Sequence, residues 1–171
     1  MHESLAIHDA FRRGDLEALK TLLGNPSDFP NCRGPAGIGD NLLEYAIYHG
    51  PLPFIRALLE VGADPNYGDH GGFPSLIAAL SCRERADRYE VLDMLLAFGA
   101  DVQQRGHNDY TPLHFAAVLE DLRAMNLLIA HGADLGARTR IDDYTTPLGE
   151  AENLGRGQAI AFLKEIAGRR S

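Results

Sequence analysis

The sequence predicts an all-α fold, a solenoid of about five helix-turn-helix units stacked on one continuous core. Two observations predict it. The tripeptide Gly-Ala-Asp occurs at 62–64, 99–101 and 132–134, each time directly after an apolar run (ALLEV, MLLAF, LLIAH) that reads as a helix ending. A glycine there enters the left-handed region without a Cβ clash and stops the helix. A second, shorter helical pattern lies upstream of each stop, with starts at Ala6, Leu42, Ser75, Pro112 and Pro147, so that successive starts are 36, 33, 37 and 35 residues apart.

Taken in order, the first unit (about 4–40) carries AIHDAFRRG, with Arg12, Arg13, Glu17 and Lys20 giving its helices the polar surface of an N-terminal cap. Pro26-Ser27-Asp28 stands where Gly-Ala-Asp is expected, inside a long Gly- and Pro-rich loop from Gly24 to Asp40. The second unit (41–72) pairs LLEYAIYHG with a second helix built on Leu58 and Leu59. In the third (73–109), SLIAALSC and the Leu95/Leu96 helix are separated by an insertion, CRERADRYE, carrying Arg83, Arg85 and Arg88. The fourth (110–143) opens on Thr111-Pro112. Threonine caps the first free helix amides, and proline costs little at the first helical position, where its missing N–H has no partner to lose. Thr146-Pro147 repeats this at the head of the fifth unit (144–168), a C-terminal cap in which Lys164 replaces the second leucine of the pair. Ala78, Ala79, Ala116 and Ala117 are small where the short helices lie close together.

The run TPLHFAAVLEDLRAMNLLIAHGAD, Thr111 to Asp134, resembles the ankyrin repeat almost throughout, and the likeness extends over roughly five units. The chain is similar to small standalone ankyrin-repeat proteins of bacterial type. That resemblance implies a single ankyrin-repeat domain over 1–171 with loop or β-hairpin tips. It also implies a non-enzymatic module that binds one partner protein through its concave face, as an adaptor or inhibitor, a toxin-neutralising immunity protein being the sharpest version. It assigns His114 a framework role, its ring bonding loop backbone to hold adjacent units in register.

Composition narrows the partner. A formal charge of -8 opposes nucleic acid phosphates and anionic membranes, and no apolar run is long enough to span a bilayer. Cys32 and Cys82 are far apart without a CxxC spacing, which suits a reducing compartment, so the protein is expected in the cytoplasm, monomeric when free. Seven histidines lack the HExxH or HxH spacing of a metal site, RGPAGIGD lacks the phosphate-loop pattern, and no GxSxG is present. No catalytic residue, metal or cofactor is therefore expected. The rival readings are a metal-dependent hydrolase or accessory protein using the loop histidines His49, His70 and His107, and a self-associating structural module.

The expected binding residues are those the repeat leaves free. On the inner edge of the short helices fall Tyr48, His49, Val118 and Leu119, the last two expected to face water. The loop tips supply His70 and Phe73, then Arg105, His107 and Tyr110, then Arg138, Arg140 and Tyr144. Aromatics at successive tips provide contact area at small entropic cost, and Arg83 and Arg85 add a basic island on an acidic protein.

Overall fold

The second, fourth and fifth repeats begin where a side-chain oxygen caps a helix, whereas the third begins after Pro74 with no side-chain cap. Asn41 Oδ1 accepts from the amides of Leu43 and Glu44 at 2.9 and 3.1 Å, and Thr146 Oγ1 accepts from Gly149 at 3.0 Å. Pro112 and Pro147 occupy the first helical turn, as expected. The computed structural model describes residues 2–34, 41–68, 73–141 and 144–169, with the backbone alone for residues 2, 3 and 107. Among them are ten α-helices and no strand.

The chain divides into two compact units, Met1–Ala100 and Asp101–Ser171. The first holds α1 (His2–Arg13), α2 (Leu16–Leu22), α3 (Leu42–His49), α4 (Leu52–Glu60), α5 (Ser75–Ser81) and α6 (Arg88–Ala97). Helices α1, α3 and α5 pack side by side in one row, and α2, α4 and α6 in a second. Between the rows Ile7, Phe11, Leu42, Ile47, Phe54, Ile55 and Leu58 are fully buried, Phe11 meeting Phe54 edge to face at 5.5 Å. Ala10, Ala46, Ala78 and Ala79, also fully buried, let the first row close up. Truncating either phenylalanine would cost about 3–5 kcal/mol, the usual loss for an emptied aromatic site.

The second unit holds a single 3-10 turn (His107–Asp109), α7 (Pro112–Val118), α8 (Leu122–Ala130), α9 (Pro147–Asn153) and α10 (Gly157–Arg169). Helix α7 packs on α8 and α9, and α10 covers the other three. Two tips are closed like hairpins without forming a strand: Gly106 N–H donates to the Tyr110 carbonyl and Thr139 N–H to the Thr145 carbonyl, both at 3.0 Å.

The stops have one geometry. Gly62, Gly99 and Gly132 have φ of 97°, 88° and 90°, and the alanine after each donates to the carbonyl five residues back, Leu58, Leu95 and Leu128, at 2.9–3.0 Å. Asp64, Asp101 and Asp134 then accept the amide two residues on at 2.8 Å, turning the chain outward. The first unit follows the same rule at a place the sequence reading missed. Helix α2 ends at Leu22, Gly24 takes φ of 78°, and Asn25 donates to the Lys20 carbonyl at 2.9 Å. The stop is therefore Gly24-Asn25, not Pro26-Ser27-Asp28, because the left-handed glycine directly after the cap residue sets the bond. Likewise α1 begins at His2, four residues ahead of the expected Ala6.

Side chains tie each stop to the unit before it. Asn31 Nδ2 donates to the Gly62 carbonyl at 2.9 Å while its Oδ1 accepts from Asp64 N–H at 2.8 Å; Asn66 Nδ2 reaches the Gly99 carbonyl at 2.8 Å, and Gln103 Nε2 that of Gly132 at 3.5 Å. His114 does the same from the helix head. It is fully buried, its Nε2 lies 3.0 Å from the Thr145 carbonyl, and its Nδ1 lies 2.8 Å from Thr111 Oγ1. A carbonyl accepts only, so Nε2 carries the proton and Nδ1 takes one from Thr111. Glu44 stands at the equivalent place in α3 with the polarity reversed, accepting from Phe73 N–H at 2.9 Å.

Candidate protein-binding surface

In the first unit the row of short helices presents a ring cluster. His49, exposed at the end of α3, lies over Tyr45 with centroids 4.4 Å apart, and the His8 ring of α1 stands 5.4 Å from it. His8 Nδ1 is 2.6 Å from the Tyr45 hydroxyl, so the cluster is held by a hydrogen bond as well as by contact. Burial, then the neighbouring His8, lowers the His49 pKa and keeps the ring neutral near pH 7. Tyr48 is 36% exposed, its hydroxyl 3.4 Å from Ser81 Oγ, and burial pushes its phenol up. Leu5, 64% exposed on α1, adds an apolar neighbour on the same helix as His8. Tyr48 and His49, expected as binding residues, are exposed at this edge; His8 and Tyr45 are not singled out by the sequence. Their signal was the near-repeat distance of 37 residues between them.

The arginine insertion is more framework than island. Arg85 Nη1 donates to the carbonyls of Ile47 at 2.9 Å and Gly50 at 2.8 Å, capping the C-terminal end of α3. Asp87 Oδ1 lies 2.6 Å from its Nε, and the side chain is only 13% exposed. Arg88 lies over the Tyr89 ring at 4.6 Å and donates to its hydroxyl. Arg83 is exposed. Phe73 is half-buried, its carbonyl accepting from the Tyr67 hydroxyl at 2.8 Å. His70 lies outside the described residues, as does the His107 side chain. Cys82 is half-buried beside Ser81, and burial pushes its thiol up, away from nucleophilic use. Among the described residues no three His, Cys, Asp or Glu side chains come together as a metal ion requires.

In the second unit the tips meet through a residue that the sequence reading did not single out. Asp109, with φ of 57°, accepts from Arg105 Nη1 at 2.9 Å, from Arg140 N–H at 2.6 Å and from Arg140 Nη2 at 2.5 Å. The Arg140 hydrogen bonds hold its carboxyl below the usual carboxylate range, against a smaller upward push from burial. Arg138 donates to the Tyr144 carbonyl at 3.1 Å, and Tyr144 projects with 59% of its surface exposed. Tyr110 stacks on His114 with centroids 5.5 Å apart, and its hydroxyl donates to Glu150 Oε1 at 2.6 Å. Burial, the first cause, lowers the His114 pKa. Val118 and Leu119 are half-buried rather than fully water-facing, at the turn where α7 ends at Val118 and α8 starts at Leu122.

Beside Tyr110 these groups enclose an open cavity of about 420 Å³, lined by Tyr110, Thr139, Ile141, Thr145, Glu150 and Asn153 among others. No helix among the described residues is long and apolar enough to cross a membrane.

Known proteins account for this arrangement. A family model described as ankyrin repeats, three copies, matches residues 7–106, and a single ankyrin repeat matches residues 108–140. The chain is 31% identical over 154 residues to an ankyrin repeat protein of fowlpox virus, an alignment covering 90% of this chain and 33% of that one. It is 31% identical to the RelA-associated inhibitor of Mus musculus, over 73% of this chain and 15% of the inhibitor. It is 30% identical to alpha-latrocrustotoxin-Lt1a of Latrodectus tredecimguttatus, over 73% of this chain and 8% of the toxin. In each case it spans a third or less of the relative's length. Periodic stops, capped helix heads and the family match together place the chain in the ankyrin-repeat family.

Proposed function

We propose that this ankyrin-repeat chain holds one partner protein against the exposed edge of its short helices and its loop tips, and that it acts by occupancy, as an inhibitor or adaptor, without turnover. One observation carries the reading. Most apolar residues of the repeated motif are buried in the framework, Val61 and Phe98 before the stops being exposed, whereas the exposed side chains Tyr48, Ile141 and Tyr144 stand at a helix end or a tip. Aromatic side chains at such places are the usual anchors of a protein interface. The acidic net charge of -8 favours a basic partner, a toxin among them, and the expected place of action is the cytoplasm. Arg83 on the exposed insertion of one compact unit, and Arg138 and Tyr144 at a tip of the other, are further contacts offered to the partner; Arg85, Arg105 and Arg140 fix the loops around them.

The test is affinity capture with the wild-type chain beside Tyr48→Glu and Tyr144→Glu, all three shown to melt alike. A partner retained by the wild type at a fixed saturating ratio and lost from both variants is the expected result. A partner retained equally by all three would place the interface elsewhere, and sub-stoichiometric action on the partner would replace occupancy with catalysis.

A further inference from the structure

We infer that the cavity beside Tyr110 receives an arginine side chain of the partner, with Glu150 as its anchor; this rests on the reading that the surface binds a protein. Among the described residues of the cavity lining, Glu150 is the only one that is formally charged. Its carboxylate is fixed from both sides, Oε1 accepting from the Tyr110 hydroxyl at 2.6 Å and Oε2 from the Thr145 hydroxyl at 2.8 Å. A carboxylate has about four acceptor positions, so one on each oxygen remains, the pair that a guanidinium fork spans. An ammonium group is a point charge without that planar fork, which favours arginine over lysine.

Among the described residues Glu150 takes part in no ion pair, although three arginines stand on the adjacent tips. Arg105 and Arg140 are held by Asp109, and Arg138 donates to the Tyr144 carbonyl. Ile141, 47% exposed, and the Tyr110 ring give apolar walls of the kind that cover an arginine's methylene stem. A volume of about 420 Å³ admits one long side chain together with water. An acidic group entering the same space would meet an uncompensated carboxylate.

The experiment titrates the full 15N-labelled chain with N-acetyl-arginine N-methylamide, and separately with its citrulline counterpart, which keeps the shape and loses the charge. Saturable amide shifts confined to Tyr110, Thr145, Glu150 and Asn153 are expected, at least tenfold weaker with the citrulline compound and at least tenfold weaker in Glu150→Gln. Absence of shifts at these residues, or equal binding of the two compounds, overturns the assignment. Loss of the arginine effect while Tyr48→Glu still abolishes capture would remove the basic anchor and leave the binding surface standing. Arginine binding with capture indifferent to Tyr48 and Tyr144 would do the reverse.

Discussion

Replacing Arg85 by alanine tests whether the insertion of the third repeat is framework or ornament. Its guanidinium makes two charge-assisted hydrogen bonds to main-chain carbonyls at the end of α3, those of Ile47 and Gly50, and both residues are buried. Hydrogen bonds to a charged group contribute about 1.5–3 kcal/mol, and a cation at a helix C-terminus about 0.3–1 kcal/mol more. The Cys82 thiol, 3.8 Å from the Ile47 carbonyl, is a poor substitute donor. Counting the two bonds from the one Nη1 as a single contribution of that size, the expected loss is about 2–4 kcal/mol, which for a chain of this size lowers the melting temperature by roughly 4–16 °C. Urea denaturation and thermal melting read it directly, and amide exchange should show the loss starting in the last turn of α3. Arg85→Lys should fall between, since lysine keeps the charge but loses the planar group that also binds Asp87 through Nε and Nη2. Arg83→Ala, two residues away and exposed, is the control and should stay within about 0.5 kcal/mol of wild type. If Arg85→Ala also stays within that range, the cap contributes nothing and the reasoning fails.

Acidification should weaken the fold through His114. Its pKa is lowered on folding, so the unfolded chain takes a proton near 6.5 that the buried ring resists, and the stability it contributes is full above about 6.5 and lost as pH falls below it. His49, lowered for the same first reason, acts with the same sign. Denaturation at pH 7.5 and 5.5, roughly the range on either side of a free imidazole's pKa, should show a smaller difference for His114→Gln than for wild type; equal differences would mean that His114 is not the sensor. Asp109 should titrate below its free value of 3.8 by carboxyl NMR, and Asp109→Asn should speed exchange of the Arg140 amide. An unchanged Arg140 exchange rate would show that the two tips hold without it.

What the residues revealed in advance was whatever depends on near neighbours. Caps at Thr111 and Thr146, the left-handed glycines and the alanine contacts all follow from chemistry within a few positions, and His114 was placed by the repeated head. The missed contacts join residues about one repeat apart. Asp109 meets Arg140 across 31 positions, Tyr110 meets Glu150 across 40, and Arg85 reaches Ile47 across 38. Each depends on the reach of a long side chain and on where a loop happens to cross, neither of which periodicity specifies. The misplaced first stop has a simpler cause: a proline and an aspartate resembled a turn, but the bond belongs to the glycine ahead of them.

The polar ties at the stops have a consequence for how such a chain can change over generations. Their partners stand 31, 33 and 29 positions apart for Asn31, Asn66 and Gln103, yet the same carbonyl is met each time. Alignment is thus enforced at fixed anchor points and not by counting residues between them. Insertions and deletions in the intervening loops are absorbed locally, so mutation can explore new recognition chemistry there while the inherited scaffold stays in step.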